Sequence, residues 1–439
     1  MTTHEQKVAV LGAGFAGLGV AAALRRHGIA YDQFEANDDV GGSWYRGAYA
    51  SVHMITSKKN TAYAGFPMPE EYPHFPSRQQ VLEYLRTFAD LHSLRDAIAF
   101  RTRVTRVAPA SGGAWDVSLE SGEMRRYSAV VIANGQHWSP RSPAYDGEFT
   151  GEVLHSGSYR DHGIFEGKRV LVVGGGNSAA DIAVEASRVG SATHLSMRRG
   201  TWFLPKTLFG RPTVELLRPW IPMLLLRLVM KLFLRVTQGS YASYGLQQPT
   251  DRLFDRDPTI NDQLLYWLRH GRIVAHPAIR RVDGRVVEFV DGSREEFDVL
   301  CFATGFTPSF PFLADGVISW RGETPRLVAG MFVPGFRNLY VFGIGKLRPV
   351  PRYGVGPPIT AGAELLAACI RAQRAIRCDL GELFRKAGGS PDRETLLDPA
   401  LVMRLIAICT RIVPWLPRIE RLFDRRPDPL PAAPKLADG

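Results

Sequence analysis

Residues 7–17 read KVAVLGAGFAG, in which an apolar run passes directly into a glycine-rich turn. An uninterrupted short apolar run predicts a strand that is buried on both faces of a parallel sheet. The alanine- and leucine-rich stretch that follows predicts a helix ending near His27, and residues 31–35 predict a second strand. This order of strand, glycine turn, helix and strand is typical of a dinucleotide-binding unit.

The glycine turn has the spacing G-x-G-x-x-G, with Gly12, Gly14 and Gly17 at the three glycine positions. Such a turn lets the backbone approach a pyrophosphate, and the following helix N-terminus offers unpaired N–H groups and a positive dipole end. Glu35 lies 23 residues after Gly12, at the end of the second predicted strand, where a carboxylate accepts hydrogen bonds from a ribose. We therefore expect this unit to bind a dinucleotide whose ribose hydroxyls are free.

A second unit begins 162 residues after the first, where residues 169–179 read RVLVVGGGNSA. The same count of 23 residues from Gly174 reaches Met197, which is not an acid, and Arg198 and Arg199 follow it. Guanidinium groups bind a ribose 2′-phosphate, which a carboxylate would repel. The second unit therefore favours NADPH, although the alternative that both arginines lie at a solvated strand end stays open. Two dinucleotide sites in one chain imply hydride transfer between cofactors, with FAD in the first unit.

The composition limits the class of protein. The chain has 439 residues, 45% of them hydrophobic and 22% charged, which excludes a mainly disordered chain and suits two or three domains. Its net charge of +11 favours anionic partners such as nucleotide phosphates, acidic lipid or nucleic acid. Residues 1–7 are polar and no apolar run reaches 18 residues, so we expect a cytoplasmic protein without a signal peptide or transmembrane helix.

The cysteines exclude several kinds of site. They are scattered and form no C-x-x-C pair, which argues against a disulfide scaffold, a zinc knuckle and a dithiol redox centre. The four are Cys301, Cys369, Cys378 and Cys409. Disulfide reductases also combine FAD and NADPH, but they need a redox cysteine pair, so that class is excluded on the same ground.

The segment between the two units reads F-x-G-x-x-x-H-x-x-x-Y, with Phe149, Gly151, His155 and Tyr159 at its fixed positions. It resembles the fingerprint of class B flavin monooxygenases, in the flavin-containing monooxygenase branch, and the chain is also similar to the plant auxin-forming flavin monooxygenases. Further motifs in the same order carry the resemblance: Gly41-Gly42-Ser43-Trp44, Thr56-Ser57-Lys58, residues 66–77, Gly174-Gly175-Gly176-Asn177-Ser178 and Phe302-Ala303-Thr304-Gly305-Phe306.

The resemblance implies an enzyme that uses NADPH and O₂ to oxygenate a small or hydrophobic organic substrate at nitrogen, sulfur or an activated carbon, through a C4a-(hydro)peroxyflavin. It implies shielding of the flavin rather than acid–base catalysis, so we assign no catalytic residue. The residues implied for FAD are Gly12, Ala13, Gly14, Phe15, Ala16, Gly17, Glu35, Ser43, Trp44 and Thr56. Those implied for NADPH are Gly174, Gly176, Asn177, Ser178, Ala179, Ser196, Arg198 and Arg199, while His155, Tyr159 and Thr304 are implied at the connections between the units.

Two departures from the family pattern leave alternatives open. Many members have an asparagine before the T/S-S-K motif, and Ile55 stands there in this chain. A flavoprotein that releases peroxide or does not oxygenate productively therefore stays an alternative. Baeyer–Villiger relatives end the fingerprint in tryptophan followed by proline or aspartate, whereas Arg160 follows Tyr159 here. Baeyer–Villiger oxygenation of a ketone is accordingly a minority alternative.

Residues 214–236 are leucine-rich and carry Arg227, Lys231 and Arg235 at i, i+4 and i+8. Residues 401–422 show a similar basic and apolar pattern. Such a helix suits a cover over a substrate cavity with its basic side chains facing water, peripheral contact with anionic lipid, or a dimer contact. The sequence does not decide among these three interpretations.

These observations predict an α/β protein with two Rossmann-like dinucleotide-binding domains. We expect an FAD-binding domain at residues 1–165 plus 300–439, and an NADPH-binding domain at 166–299 with a helical insert at 205–260. The expected partners are a small-molecule substrate and O₂, with no nucleic acid and no metal. Peripheral membrane contact is left open, and the sequence does not indicate the oligomeric state.

Overall fold

The computed structural model describes residues 6–218, 220–344, 354–387 and 399–423. Two parallel sheets of five strands each organise these residues. In chain order their strands are β1 (Val8–Leu11), β2 (Tyr31–Phe34), β3 (Ile98–Ala99), β4 (Ala129–Ile132), β5 (Glu152–His155), β6 (Arg169–Val173), β7 (Ala192–Ser196), β8 (Val274–His276), β9 (Val299–Phe302) and β10 (Leu339–Val341).

The helices surround the two sheets. In chain order they are α1 (Phe15–Arg26), α2 (Lys58–Thr61), α3 (Arg78–Leu91), α4 (Asn177–Val189), α5 (Thr213–Leu216), α6 (Met223–Gln238), α7 (Leu264–Arg269), α8 (Gly356–Ala375), α9 (Leu380–Lys386), α10 (Pro399–Ile412) and α11 (Leu416–Phe423). None of the helices in the described ranges is long and apolar enough to cross a bilayer.

The remaining strands form smaller sheets, most of them antiparallel. They form two three-stranded sheets, Val104–Pro109 with Trp115–Leu119 and Met124–Tyr127, and Ile279–Asp283 with Val286–Phe289 and Arg294–Glu296. Short strands pair as Ser139–Pro140 with Phe306–Thr307, Thr207–Leu208 with Arg211–Pro212, and Trp320–Arg321 with Thr324–Pro325, while Phe203–Leu204 pairs in parallel with Thr259–Ile260.

The first sheet has the strand order β10-β4-β1-β2-β3, and β1 lies at its centre. All four residues of β1 are fully or almost fully buried, as the uninterrupted apolar run predicts. Helix α1 returns from β1 to β2 and packs against α8. Because the strands are parallel, their carboxyl ends share one edge of the sheet, where ligands bind in open α/β folds.

The second sheet has the order β8-β7-β6-β9-β5, again entirely parallel, with β6 at its centre. The predicted α/β class with two Rossmann-like units is thus confirmed. The predicted domain boundaries stay a prediction, and strand pairing argues for moving two of them. The division between residues 299 and 300 falls inside β9, which lies wholly in the second sheet. Strand β5 pairs with β9 in the second sheet, although the predicted division at residue 165 assigned it to the first domain. Sequence order alone does not show that β5 is the edge strand of the second sheet, next to β9.

The segment between β7 and β8 forms the predicted helical insert. Its longest helix, α6, buries Leu226, Met230 and Leu234, which share one helix face at a spacing of four residues. These side chains join a separate apolar cluster with Leu253 and Phe254. The insert therefore has its own small core.

Candidate active site

The first glycine turn connects β1 to α1 at the carboxyl edge of the first sheet. Gly12 has a φ of +104°, and a Cβ atom there would lie 2.5 Å from the Ala133 carbonyl oxygen. A Cβ atom at Gly17 would lie 2.0 Å from the Gly12 carbonyl oxygen. No side chain fits at either position, because backbone atoms of β1, α1 and the end of β4 meet there. The turn therefore requires glycine at these two positions, as a turn that approaches a pyrophosphate closely does.

Glu35 lies beside this turn, at the end of β2. Its carboxylate accepts hydrogen bonds from Ala13 N at 2.7 Å and Asn37 N at 2.9 Å, and from the Asn37 side chain at 2.7 Å. A carboxylate has about four acceptor sites, so capacity for a ribose hydroxyl remains. The residues present thus fit a dinucleotide with an unmodified ribose.

Asn134 is a site residue that the sequence analysis did not select. It lies two residues beyond the end of β4, and its Cα atom would lie 3.2 Å from a Cβ atom at Gly12. Its Nδ2 donates to the Ser309 carbonyl at 2.9 Å, while its buried Oδ1 has no hydrogen-bond partner within the described ranges. A buried acceptor without a partner beside the glycine turn is a feature that a bound cofactor would satisfy. The only sequence signal was its place two residues after a buried strand.

The Gly41-Gly42-Ser43-Trp44 motif packs against the same turn. Gly41 N donates to the Ala13 carbonyl at 3.0 Å. A Cβ atom at Gly42 would lie 2.9 Å from the Gly14 Cα atom. The chain then forms a π-helical turn, Ser43–Gly47, which begins with Ser43 and Trp44 directly after these two glycines.

Two of the residues predicted to contact FAD face protein neighbours. The Phe15 ring stacks on Tyr63 with ring centroids 4.4 Å apart. Ala16 lies against Gly343, where an added Cβ would approach the Ala16 Cβ to 2.4 Å. A cofactor at the first glycine turn would therefore contact the backbone of Phe15 and Ala16 rather than their side chains.

Ile55 contacts the insert, and the neighbouring Thr56 contacts α2. The Thr56 hydroxyl is 2.8 Å from the Thr61 hydroxyl. The Ile55 side chain packs against the apolar cluster that contains Leu226 and Met230 of α6. The segment that contains Ile55 and Thr56 thus shares an apolar region with the insert, and Ile55 is the residue that joins them.

The second glycine turn connects β6 to α4. Gly174 has a φ of +146°, and a Cβ atom there would lie 2.4 Å from the Ala303 carbonyl oxygen and 3.3 Å from the Ala179 Cβ. A Cβ atom at Gly176 would meet no atom within 4 Å, so this side of the turn is open. No side chain caps the N-terminus of α4, which leaves its first N–H groups directed at the opening. The arrangement fits a pyrophosphate.

Of the other residues predicted for NADPH, two bond protein groups and two are exposed to solvent. Asn177 Oδ1 accepts a hydrogen bond from Ile260 N at 2.7 Å, and the Ser196 hydroxyl donates to the Pro277 carbonyl at 2.7 Å. These two side chains hold the insert and β7 in place. Arg198 and Arg199 are exposed just beyond β7, after the buried Met197. Their charge is available to a 2′-phosphate at the ribose end of the site.

His155 and Thr304 lie close to each other in space, His155 at the end of β5 and Thr304 just after β9. His155 Nδ1 accepts a hydrogen bond from Gly157 N, and its Nε2 is 3.0 Å from the Gly305 carbonyl, so the proton lies on Nε2. Burial lowers the pKa of His155, which favours this neutral form. The Thr304 hydroxyl donates to the Arg141 carbonyl, and Arg141 returns a bond to the Thr304 carbonyl at 2.8 Å.

The Tyr159 side chain is almost completely buried and donates a hydrogen bond to Glu185 of α4. The polar atoms of His155, Thr304 and Tyr159 therefore bind protein groups at the junction between the sheets. Thr304 directly follows Ala303, whose carbonyl oxygen meets Gly174 of the second glycine turn, and Tyr159 binds the helix that begins at this turn. The roles predicted for these three residues stay predictions.

Two glycine turns of this kind, one beside a carboxylate and one before two arginines, define an oxidoreductase that uses two dinucleotide cofactors. Within the described ranges, no group of histidine, cysteine and acidic residues could hold a metal ion. The chain matches the family described as Flavin-binding monooxygenase-like over residues 5–351, and it belongs to that family.

Curated relatives agree with this assignment. The chain is 34% identical over 375 residues to dimethylaniline monooxygenase 2 (N-oxide-forming) of Rattus norvegicus, covering 79% of this chain and 70% of that protein. It is 31% identical over 378 residues to flavin-containing monooxygenase 2 of Homo sapiens, with the same shares covered.

Solved structures show the same fold. The flavin-containing monooxygenase from Stenotrophomonas maltophilia superposes with a TM-score of 0.66 at 24% identity, covering 84% of this chain and all but 1% of that one. An oxidized steroid monooxygenase bound to NADP gives a TM-score of 0.70 at 18% identity, covering 94% of this chain and 98% of that one. The protein is thus a flavin monooxygenase that depends on FAD and NADPH and oxygenates small organic substrates, as the sequence predicted.

Proposed function

We propose that this enzyme oxygenates a soft nucleophile, nitrogen or sulfur, in a hydrophobic small molecule. The observation that carries the proposal is the apolar region at Ile55, which precedes the predicted FAD contact Thr56 and packs against the apolar cluster of the insert. Apolar walls favour hydrophobic substrates and keep water from the reacting centre. The N-oxide-forming relatives support nitrogen as the oxygenated atom.

Two groups of residues would bind the two cofactors. The first glycine turn, Glu35 and Asn134 would hold FAD, and the start of α4 with Arg198 and Arg199 would hold NADPH. When bound, these cofactors supply the redox chemistry: electrons come from the nicotinamide, and O₂ is activated at the flavin. Ile55 would exclude water without donating a hydrogen bond. One oxygen atom enters the substrate and the other leaves as water.

A substrate panel tests this proposal. The holoenzyme is supplied with a tertiary amine, a thioether and a ketone, and the oxygenated product and hydrogen peroxide formed per NADPH are measured for each. The proposal expects an N-oxide or sulfoxide in proportion to NADPH consumed. An ester formed from the ketone alone would establish the Baeyer–Villiger alternative. Release of one hydrogen peroxide for each NADPH consumed, with every substrate, would establish the peroxide-releasing alternative. Ile55→Asn would then be expected to lower peroxide release.

We also propose that the outer face of α6 makes peripheral contact with an anionic membrane surface. Leu224, Leu228, Leu232 and Val236 are exposed by 82, 66, 63 and 76% and form one stripe at four-residue spacing. Trp220, 80% exposed, precedes the helix, as an aromatic side chain at a membrane interface would.

Charge favours lipid over another protein surface at this face. Helix α6 contains Arg227, Lys231 and Arg235 but no acidic residue. Lys231 and Arg235 are exposed beside the apolar stripe, and the Lys231 ammonium lies 5.4 Å from the centre of the Trp202 ring. Arg235 could reach lipid phosphates. Arg227 departs from the predicted basic stripe facing water, because it is paired with Asp255 and donates to the Leu253 carbonyl at 2.9 Å.

A further inference from the structure

Two carboxylates on one face of α4 meet three hydroxyl groups from two other segments of the chain, residues 49–51 and Tyr159. Asp181 and Glu185 are four residues apart and therefore lie one above the other on the helix. The Tyr49 hydroxyl donates to Asp181 Oδ2 at 2.8 Å. Glu185 accepts hydrogen bonds from the hydroxyls of Ser51 and Tyr159. We call these five residues the junction cluster.

The tyrosines of the junction cluster are enclosed. Tyr49 is 5% and Tyr159 1% exposed, and their ring centroids lie 5.6 Å apart. Burial and the neighbouring Asp181 carboxylate raise the pKa of Tyr49 far above its usual value, so its hydroxyl stays a donor. Burial also raises the pKa of Asp181, and the hydrogen bonds from Tyr49 and Asn261 oppose that rise. A satisfied polar network in such surroundings holds its partners in one arrangement.

Asp181 joins three segments of the chain. Its Oδ1 accepts a hydrogen bond from Asn261 Nδ2 at 2.7 Å, and the neighbouring Ile260 N–H donates to Asn177 at the start of α4. Tyr49 lies two residues beyond the turn Ser43–Gly47, which is placed against the first glycine turn. A short path of hydrogen bonds therefore runs from the loop beside one glycine turn to the helix that begins at the other.

We propose that Tyr49 and Asp181 are positioning residues that fix the start of α4 relative to the loop beside the first glycine turn. The inference rests on the proposed placement of FAD and NADPH at the two turns. Hydride transfer requires donor and acceptor atoms in contact, and a displacement of about 1 Å can slow such a reaction by about 100-fold. The pair would therefore set the rate of flavin reduction rather than the affinity for either cofactor.

The test compares Tyr49→Phe, Asp181→Asn and the double variant with a matched control, Tyr127→Phe. Tyr127 is fully buried and donates to Asp32 Oδ2 at 2.9 Å, but it ends the antiparallel strand Met124–Tyr127, and Asp32 lies in β2 of the first sheet. Flavin reduction by NADPH in stopped flow should slow by about tenfold in Tyr49→Phe and in Asp181→Asn. The NADP⁺ dissociation constant should change little, and the double variant should be no slower than the slower single variant, because the pair acts as one unit.

Hydrogen–deuterium exchange of the nucleotide-free protein gives a second readout. Amides of residues 48–52 and of the first two turns of α4 should exchange faster in Tyr49→Phe than in Tyr127→Phe. The proposal is overturned if the two variants match in both measurements, or if exchange rises equally throughout the chain. If NADPH fails to reduce even the parent protein, the proposed cofactor placement fails, and exchange alone then decides whether the junction cluster holds α4.

Discussion

Glu35 and Arg198 each follow the second strand of a glycine-turn unit, and their opposite charges distinguish the two proposed nucleotide sites. Glu35 is almost fully buried and oriented by Ala13 and Asn37, whereas Arg198 is exposed. A carboxylate held in this way accepts from ribose hydroxyls, and an exposed guanidinium donates to a phosphate. The identity of single residues at two strand ends is therefore the basis on which we propose FAD for the first unit and NADPH for the second.

Arg198→Ala tests the charge at the second site. Loss of charge-assisted hydrogen bonds to the 2′-phosphate should raise the KM for NADPH by about tenfold or more and leave the KM for NADH nearly unchanged. Steady-state kinetics with both nucleotides measure the ratio, and Arg106→Ala, an exposed arginine on the antiparallel sheet beside the first unit, is the control. Equal changes for NADPH and NADH would reject the 2′-phosphate role.

Gly12→Ala tests the close approach at the first turn. The new Cβ would lie 2.5 Å from the Ala133 carbonyl oxygen, so the turn must deform as well as accept a positive φ. Gly28→Ala is the matched control, since Gly28 has a φ of +64° but open space around it. We expect about 1 kcal/mol of lost stability for Gly28→Ala, from the positive φ alone. Gly12→Ala should lose clearly more, together with bound FAD, in thermal unfolding and flavin absorbance; equal losses would contradict the steric argument.

At the scale of elements, α6 presents two apolar faces with different roles. Leu226, Met230 and Leu234 face the insert core, while the stripe that includes Leu228 and Leu232 is exposed. The leucine-rich pattern predicts the helix but not which face is covered, because helical periodicity cannot separate two apolar stripes on one helix. The position of Arg227 likewise depended on Asp255, which lies 28 residues further along the chain.

The double variant Leu228→Gln/Leu232→Gln should lose binding to vesicles that contain phosphatidylserine. The parent should bind these vesicles at low salt and less at high salt, since screening weakens attraction between basic residues and anionic lipid. Cosedimentation measures binding, and Leu91→Gln, at a 69% exposed leucine on α3, is the control. Absence of parent binding, or a change of the double variant from dimer to monomer without any lipid effect, would contradict the lipid proposal.

At the scale of the whole molecule, local patterns predicted the two nucleotide units and their strands. Each unit is built from about 30 consecutive residues, so its strand, turn and helix follow from neighbouring side chains. The junction cluster could not be predicted in this way, because Tyr49 and Asp181 are 132 residues apart. The same limit applies to β5, whose place in the second sheet is determined by hydrogen bonds to β9, far along the chain.

The most direct test of the whole account is an anaerobic titration of the purified protein with NADPH, followed by its visible flavin absorption. The account predicts a yellow protein that one equivalent of NADPH bleaches fully, with NADH much less effective at the same concentration. A protein that binds no flavin, or whose flavin stays oxidized when NADPH is added, would contradict the assignment of FAD and NADPH to the two glycine turns.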